Sequence, residues 1–335
     1  MRLTVPATGA RVLVHTPGPR VAETVHGLLD QGAVVTVQVD PVSATAVVAD
    51  LVSRGLVSVD SEPDLTAYDV VLRDPLGVVR HPEPVVPAPS GVGRVVLVGG
   101  GPGDPGLLTI AGLAALREAD VVVCDRLAPL GVLDTLEPHV EVIHVGKIPR
   151  GEFTPQERIN AVLVEHALAG RTVVRFKGGD NYVFGRGGEE WNACVDAGIP
   201  VSVIPGVTSS IAAPALAGIP VTHRGLAQGF VVVSGHVGPQ DDRGSVDWGA
   251  VARTGLTIVI LMGVANLEPI VEVLVENGLD PQTPAASVSD AGLPSQRVVR
   301  AAVADLASAV VEADLRPPAV TVIGPAVAAL SAPPA

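Results

Sequence analysis

Val-rich apolar runs alternate with amphipathic stretches along this chain, and few architectures tolerate that rhythm. RVLVH (11–15), AVVTVQV (33–39), VSVDS and DVVLRD are separated by VAETVHGLLDQG and ATAVVADLVSRG. This is the β-α-β-α succession of a small parallel-sheet domain. HPEPVVPAPSGVG (81–93) interrupts the rhythm with Pro and Gly and reads as a linker. A fresh start follows at RVVLVGGGPGDPGLLT, where a strand runs into a Gly-rich loop and then a helix capped near Thr109. Further strands are predicted at VVVCD (121–125), EVIHVG (141–146), TVVRFKG (172–178), VSVIPG (201–206), GFVVVSG (229–235), TIVILMG (257–263) and AVTVIG (319–324). The expected organisation is a small α/β domain over 1–80, the linker over 81–93, and a larger α/β unit over 94–330. A Pro-broken boundary near 205–228 divides the larger unit into two lobes with a cleft between them.

Composition sharpens this. Hydrophobic content of 47% against 17% charged residues excludes extended disorder. A net charge of −13 gives no support to general adhesion to nucleic acid or anionic membrane, so an anionic ligand requires a local basic patch. The 22 basic residues include only two lysines, Lys147 and Lys177, and four of the eight aromatic residues (Phe176, Tyr182, Phe184, Trp191) lie close to the second. Rare chemistry concentrated in one stretch marks a place to look for a site. Cys124 and Cys194 form no C-x-x-C, which argues against a zinc site or a disulfide framework. The N-terminal MRLTVPATGARVLV lacks a charged region followed by a long apolar core, and prolines break the uncharged run over 197–222. The expected location is therefore cytoplasmic, away from any membrane.

Gly101-Pro102-Gly103-Asp104-Pro105-Gly106 fits the G-x-G-x-x-G dinucleotide pattern, with Asp125 ending the next strand. The physical fit is poorer, because Pro102 and Pro105 each remove an amide that would face a pyrophosphate. Three readings stay open: a dinucleotide loop, a structural turn, or a pocket for another nucleoside-like ligand, which the prolines favour. RFKGGDNYVFGRGGEE (175–190) is the densest segment, its paired glycines allowing close backbone approach and Asp180 offering an acceptor at a strand end. Glu189 and Glu190 read as the solvated acidic start of a helix. Asp125-Arg126, Lys147, Thr208-Ser209-Ser210 and His223-Arg224 mostly follow predicted strands, at the end where α/β sheets bind ligands. The absence of G-x-S-x-G, H-E-x-x-H and a Walker loop removes support for serine hydrolases, zincins and P-loop enzymes.

Taken together, VGGGPGDPGLLT, VVVCDRL, HVGK, RFKGGDNYVFGRGGEE, PGVTSS, GIPVTHR and ILMG resemble the uroporphyrinogen III C-methyltransferases of the tetrapyrrole methylase superfamily, from about 94 to about 328. The resemblance implies the two-lobed tetrapyrrole methylase fold, a homodimer, no metal, and S-adenosylmethionine bound between the lobes. Carried over by motif, cofactor contacts fall on Pro102, Gly178, Gly179, Asp180, Val183, Thr208, Ser209, Met262 and Ala291. Ala291 stands where the family has Gly, and Asn181-Tyr182 replaces its usual Pro-Phe. The acid–base pair falls on Asp125 and Lys147. The implied reaction methylates uroporphyrinogen III at C2 and C7 to precorrin-2, releasing two S-adenosylhomocysteines, for sirohaem or cobalamin biosynthesis.

An eight-carboxylate substrate needs cations, and Arg126, Arg186 and Arg224 are the expected contacts, with Lys147, Arg150 and Lys177 in support. The first domain resembles, weakly, the precorrin-2 dehydrogenase and ferrochelatase domain of sirohaem synthases. Thr16-Pro17-Gly18-Pro19-Arg20 stands where that family has glycines for NAD, so a degenerate Rossmann-like domain without dehydrogenase activity is expected. The alternatives are another precorrin methyltransferase, an NAD-dependent oxidoreductase using Gly101–Gly106, or a non-catalytic tetrapyrrole carrier.

Overall fold

The computed structural model describes residues 91–146 and 154–330 without interruption and, before them, 11–15, 25, 28–30, 32–38, 52–54, 56–59, 67–68 and 70–72. The chain divides into two compact units, Met1–Arg80 and His81–Ala335. In the first, β1 (Arg11–His15), β2 (Val34–Gln38), β3 (Val57–Val59) and β4 (Val70–Leu72) form a parallel sheet in the order β3-β2-β1-β4. Val12, Val14, Val35 and Val37 pack with Val25 and Leu28 in its core. This order matches part of a Rossmann sheet. Thr16–Arg20, on which the expected loss of NAD binding rests, and most of the 81–93 linker lie outside the described residues.

The second unit opens with β5 (Arg94–Gly99), β6 (Val121–Cys124), β7 (Glu141–His144), β8 (Thr172–Lys177) and β9 (Val201–Ile204). All are parallel, in the order β7-β6-β8-β5-β9. A parallel sheet buried on both faces needs near-continuous apolar strands, which explains why Val-rich runs made these strands legible. Helix α1 (Ile110–Arg117) packs on the face carrying Val96, Val98, Val122 and Val174. Helices α2 (Gln156–Leu168) and α3 (Gly187–Asp196) cover the other face, which carries Val95, Leu97, Val121, Val123 and Val173. The chain thus leaves the neighbouring strands β5 and β8 toward opposite faces, which opens a crevice at their carboxyl ends.

After β9 the chain enters α4 (Ser209–Leu216), which packs Ala213 against a second sheet. That sheet holds β10 (Phe230–Ser234), β11 (Thr257–Leu261), β12 (Pro284–Ser289), β13 (Arg297–Ala302) and β14 (Ala319–Ile323), in the order β10-β11-β14-β12-β13. Within it β10 and β11 pair in parallel, and the other neighbours run antiparallel. Its far face is covered by α5 (Trp248–Ala252), α6 (Leu267–Glu276) and α7 (Val303–Glu312).

Two of these strands, β12 and β13, are absent from the sequence reading. PAASVS is poor in β-branched and aromatic residues, so its propensity is weak. It is a strand because its small side chains fit between β13 and β14, and because the buried Ser287 and Thr321 hydroxyls hydrogen-bond each other at 2.7 Å. Among the described residues no helix is long and apolar enough to cross a membrane.

Candidate functional site

At the carboxyl ends of β5 and β8 two glycine loops are stitched together. Gly101 N donates to Gly179 O at 3.1 Å and Gly179 N returns a bond to Gly101 O at 2.6 Å, with both residues at positive φ (+82° and +66°). Only glycine takes that conformation without strain. Gly178 meets a different demand, since a Cβ there would lie 2.5 Å from the Leu127 carbonyl oxygen. Asp180 then fastens the second loop: Oδ1 accepts from Tyr182 N (2.9 Å) and Val183 N (3.3 Å), and Oδ2 from Gly206 N (3.2 Å). The first loop does not open a helix. Asp104 caps a 3-10 turn over Pro105–Leu107 and α1 begins only at Ile110, after its Thr109 cap. Helix amides therefore do not face the glycines as a dinucleotide fingerprint requires.

Beside these loops lies a cleft of about 530 Å³, within the range of small-molecule sites. Its wall includes Pro102, Gly178, Gly179, Asp180, Val183, Thr208 and Ser209 from the first lobe and its exit, and Leu261, Met262 and Pro318 from the second sheet. Eight of the nine expected cofactor positions are thus brought together. Ala291 is the exception, lying outside this lining with its carbonyl facing Gly103. Thr208 also caps α4, its hydroxyl accepting from Ser210 N at 3.3 Å. Phe184, Arg186 and Met262, all on the wall, have φ of 55°, 57° and 57°. Left-handed non-glycine backbone stores strain that packing must hold, and it concentrates at functional sites.

The floor is charged. Strand residues two apart share a face, so Arg175 and Lys177 both point to the side covered by α3. There the fully buried Glu190 accepts from Arg175 Nε at 2.8 Å and from Lys177 Nζ at 3.0 Å. Arg175 Nη2 reaches on to Asp125 Oδ2 at 3.3 Å, while Asp125 Oδ1 accepts from Leu127 N at 3.0 Å. Burial, reinforced by the Arg175 guanidinium, pulls the Lys177 ammonium below its usual range, and Glu190 and Asp125 oppose that pull. The expectation of a solvated acidic helix start is therefore corrected at Glu190, which is 0% exposed and counters two cations. Glu189 is exposed and grips Arg186 at 2.8 and 2.7 Å, which holds its carboxyl below the usual range.

Asp125, Arg126 and Arg186 all line the cleft. Arg224 does not; it is exposed in the turn closed by the His223–Ala227 bridge. Lys147 and Arg150 lie outside the described residues. Sequence reasoning passed over Arg175 and Gln156, both buried and both on the cleft wall. The signal for Arg175 was available: a second cation two residues from Lys177 in an apolar strand demands buried counter-charge.

Known proteins resemble this chain in sequence and fold. Residues 94–307 match the model of the tetrapyrrole (corrin/porphyrin) methylases. A uroporphyrinogen-III C-methyltransferase of Methanocaldococcus jannaschii is 46% identical over 233 residues, 69% of this chain and 96% of that protein. A sirohaem synthase of Neisseria meningitidis serogroup B is 47% identical over 233 residues, and the matched part spans only 47% of its length. The crystal structure of uroporphyrin-III C-methyltransferase from Thermus thermophilus, complexed with S-adenosyl homocysteine, superposes with a TM-score of 0.61 at 43% identity, over 71% of this chain and all of that one. With its crevice at the β5–β8 switch and the second lobe closing it, the chain belongs to the tetrapyrrole methylase family.

Proposed function

We propose that this protein methylates uroporphyrinogen III at C2 and C7, using S-adenosylmethionine, to give precorrin-2 and two S-adenosylhomocysteines. The observation that carries the reading is the single cleft walled by Pro102, Gly178–Asp180, Val183, Thr208, Ser209 and Met262, residues dispersed along the sequence. The cofactor fits the groups present. Gly178 and Gly179 present bare backbone on the cleft wall, and the Thr208 and Ser209 hydroxyls at the start of α4 stand on the same wall, which suits the polar edges of a nucleoside. When bound, S-adenosylmethionine supplies an electrophilic methyl group.

The protein's own part is alignment, exclusion of water and proton handling. Asp125, steadied by Leu127 N and Arg175, is the base that receives the proton lost from the ring after its carbon has attacked. Lys147 shares proton transfer in this reading. Arg126 and Arg186, both on the cleft wall, meet substrate carboxylates, and Arg224, which is not on that wall, is the third expected contact. A homodimer, a cytoplasmic location and delivery of product to sirohaem or cobalamin synthesis belong to the same proposal.

Incubation with S-adenosylmethionine and enzymatically generated uroporphyrinogen III, followed by mass and absorbance, tests it. A gain of two methyl groups is expected. Substrate binding without any mass change would overturn the reading.

A further inference from the structure

The proposed methylation chemistry assigns Glu190 no contact with substrate or cofactor, yet its burial is complete. Its Oε1 accepts from Arg175 Nε (2.8 Å), Lys177 Nζ (3.0 Å) and Gln156 Nε2 (3.4 Å), and its Oε2 lies 3.0 Å from the same Lys177 Nζ. Arg175 is held through all three of its nitrogens. Nε goes to Glu190, Nη1 to the carbonyls of Val123 (3.2 Å) and Phe176 (3.1 Å), and Nη2 to Asp125 Oδ2 (3.3 Å). The guanidinium is therefore a rigid bracket with Glu190 at one end and Asp125 at the other. Planar, permanently charged and multiply donating, Arg is the side chain suited to that task.

Stability alone does not account for the arrangement. A buried ion network is often matched or bettered by apolar residues of the same volume. This one sits at the carboxyl end of a central strand, and both Arg175 and Lys177 reach the cleft wall. We propose that Glu190 is a positioning residue of the methylation site: through Arg175 it aims the Asp125 carboxylate into the cleft, and it anchors the Lys177 ammonium beside it.

The proposal rests on the reading of Asp125 as the proton acceptor. Lys177 faces Arg175 on its own strand, Glu190 on α3 and Asp125 at the end of β6. Neutralising Glu190 removes the stronger of the two carboxylate influences that hold the proton on Lys177, leaving burial and Arg175 less opposed.

The test compares the full chain with its Glu190→Gln and Glu190→Asp variants, by kinetics and by NMR of ¹⁵N-arginine-labelled protein. In Glu190→Gln, kcat is expected to fall about 100-fold, as misalignment of a reacting group does. KM for S-adenosylmethionine should stay within about twofold, and the alkaline limb of the pH–rate profile should move to lower pH. Glu190→Asp, which keeps the charge, should restore the position of that limb. The slowly exchanging Nε–H resonance that is missing from Arg175→Lys should persist in Glu190→Asp and broaden or exchange quickly in Glu190→Gln.

Unchanged kcat and pH profile in folded Glu190→Gln would overturn the proposal. So would a loss of activity that only tracks melting temperature in both variants with the profile unmoved. If Glu190→Gln does not fold, E190Q/K177M removes the unpaired lysine, and a still-protected Arg175 Nε–H in that protein overturns the proposal. The NMR arm needs no turnover. A wild-type protein that transfers no methyl group would refute the functional reading, while the Arg175 signal would still decide the role of Glu190.

Discussion

Cys124 and Cys194 are both buried, and burial pushes their thiols up to about 11 and about 12. Asp125 adds to the shift at Cys124, whose Sγ lies 3.2 Å from His144 Nδ1. Raised folded-state values mean that the stability these thiols contribute is complete below the ordinary thiol value of 9.0 and is lost as pH rises toward about 11. Melting temperature should therefore fall more steeply between pH 9 and 11 in the wild type than in Cys124→Ala, and Ellman's reagent should label neither thiol of the folded protein rapidly at pH 8. Arg126 and Arg186 allow a second test at this scale. Charge reversal of both should raise KM for the tetrapyrrole about tenfold or more while KM for S-adenosylmethionine holds, because removing a charge-assisted hydrogen bond costs about 1.5–3 kcal/mol. Unchanged tetrapyrrole KM would remove these residues from the substrate site. Lys177 and Glu190 show what residue-level reading misses. Both are plain in the sequence, but their opposite signs cancel only where a strand and a helix bring them within 3.0 Å.

Among the elements, helices and strands were legible to different degrees for physical reasons. Parallel strands buried on both faces announce themselves as unbroken Val runs, so β5, β6, β8 and β9 could be located directly. β12 and β13 could not, because PAASVS and RVVRAA owe their conformation to cross-strand partners such as Ser287 with Thr321. Glycine substitutions distinguish elements in the same way. Gly188 lies in α3, and a Cβ there would meet nothing within 4 Å. Gly188→Ala should stabilise by about 0.5–1 kcal/mol through lower unfolded-state entropy. Gly178→Ala should destabilise by about 1–3 kcal/mol, since the new Cβ meets the Leu127 carbonyl 2.5 Å away and the stitched loops have no slack. Urea midpoints for the two variants should move in opposite directions.

At the scale of the molecule, the division at Arg80–His81 matters most. The family match lies wholly in the second unit, and the Methanocaldococcus relative consists of little else. A fragment beginning at His81 should therefore fold and transfer methyl groups within about twofold of the full chain, as independent domains do. The first unit keeps a parallel four-stranded sheet, and calorimetry at micromolar NAD should detect no binding to the full chain. Observed NAD binding, or a fragment without activity, would reverse these expectations.

Local alternation and turn residues were enough to read the α/β class and most of the strands, because backbone propensity is written locally. The candidate cleft residues came instead from the resemblance carried by the motif set from GPGDP to ILMG, which named Ala291 and Arg224, both outside the cleft wall, and passed over Arg175 and Gln156, both on it. What only the tertiary structure decided is which charges meet. The register Val123↔Arg175 puts Asp125 beside Arg175, and the packing of α3 on that face buries Glu190 between two cations. Electrostatic partnership depends on distance in space and on exclusion of water, and neither follows from separation along the chain.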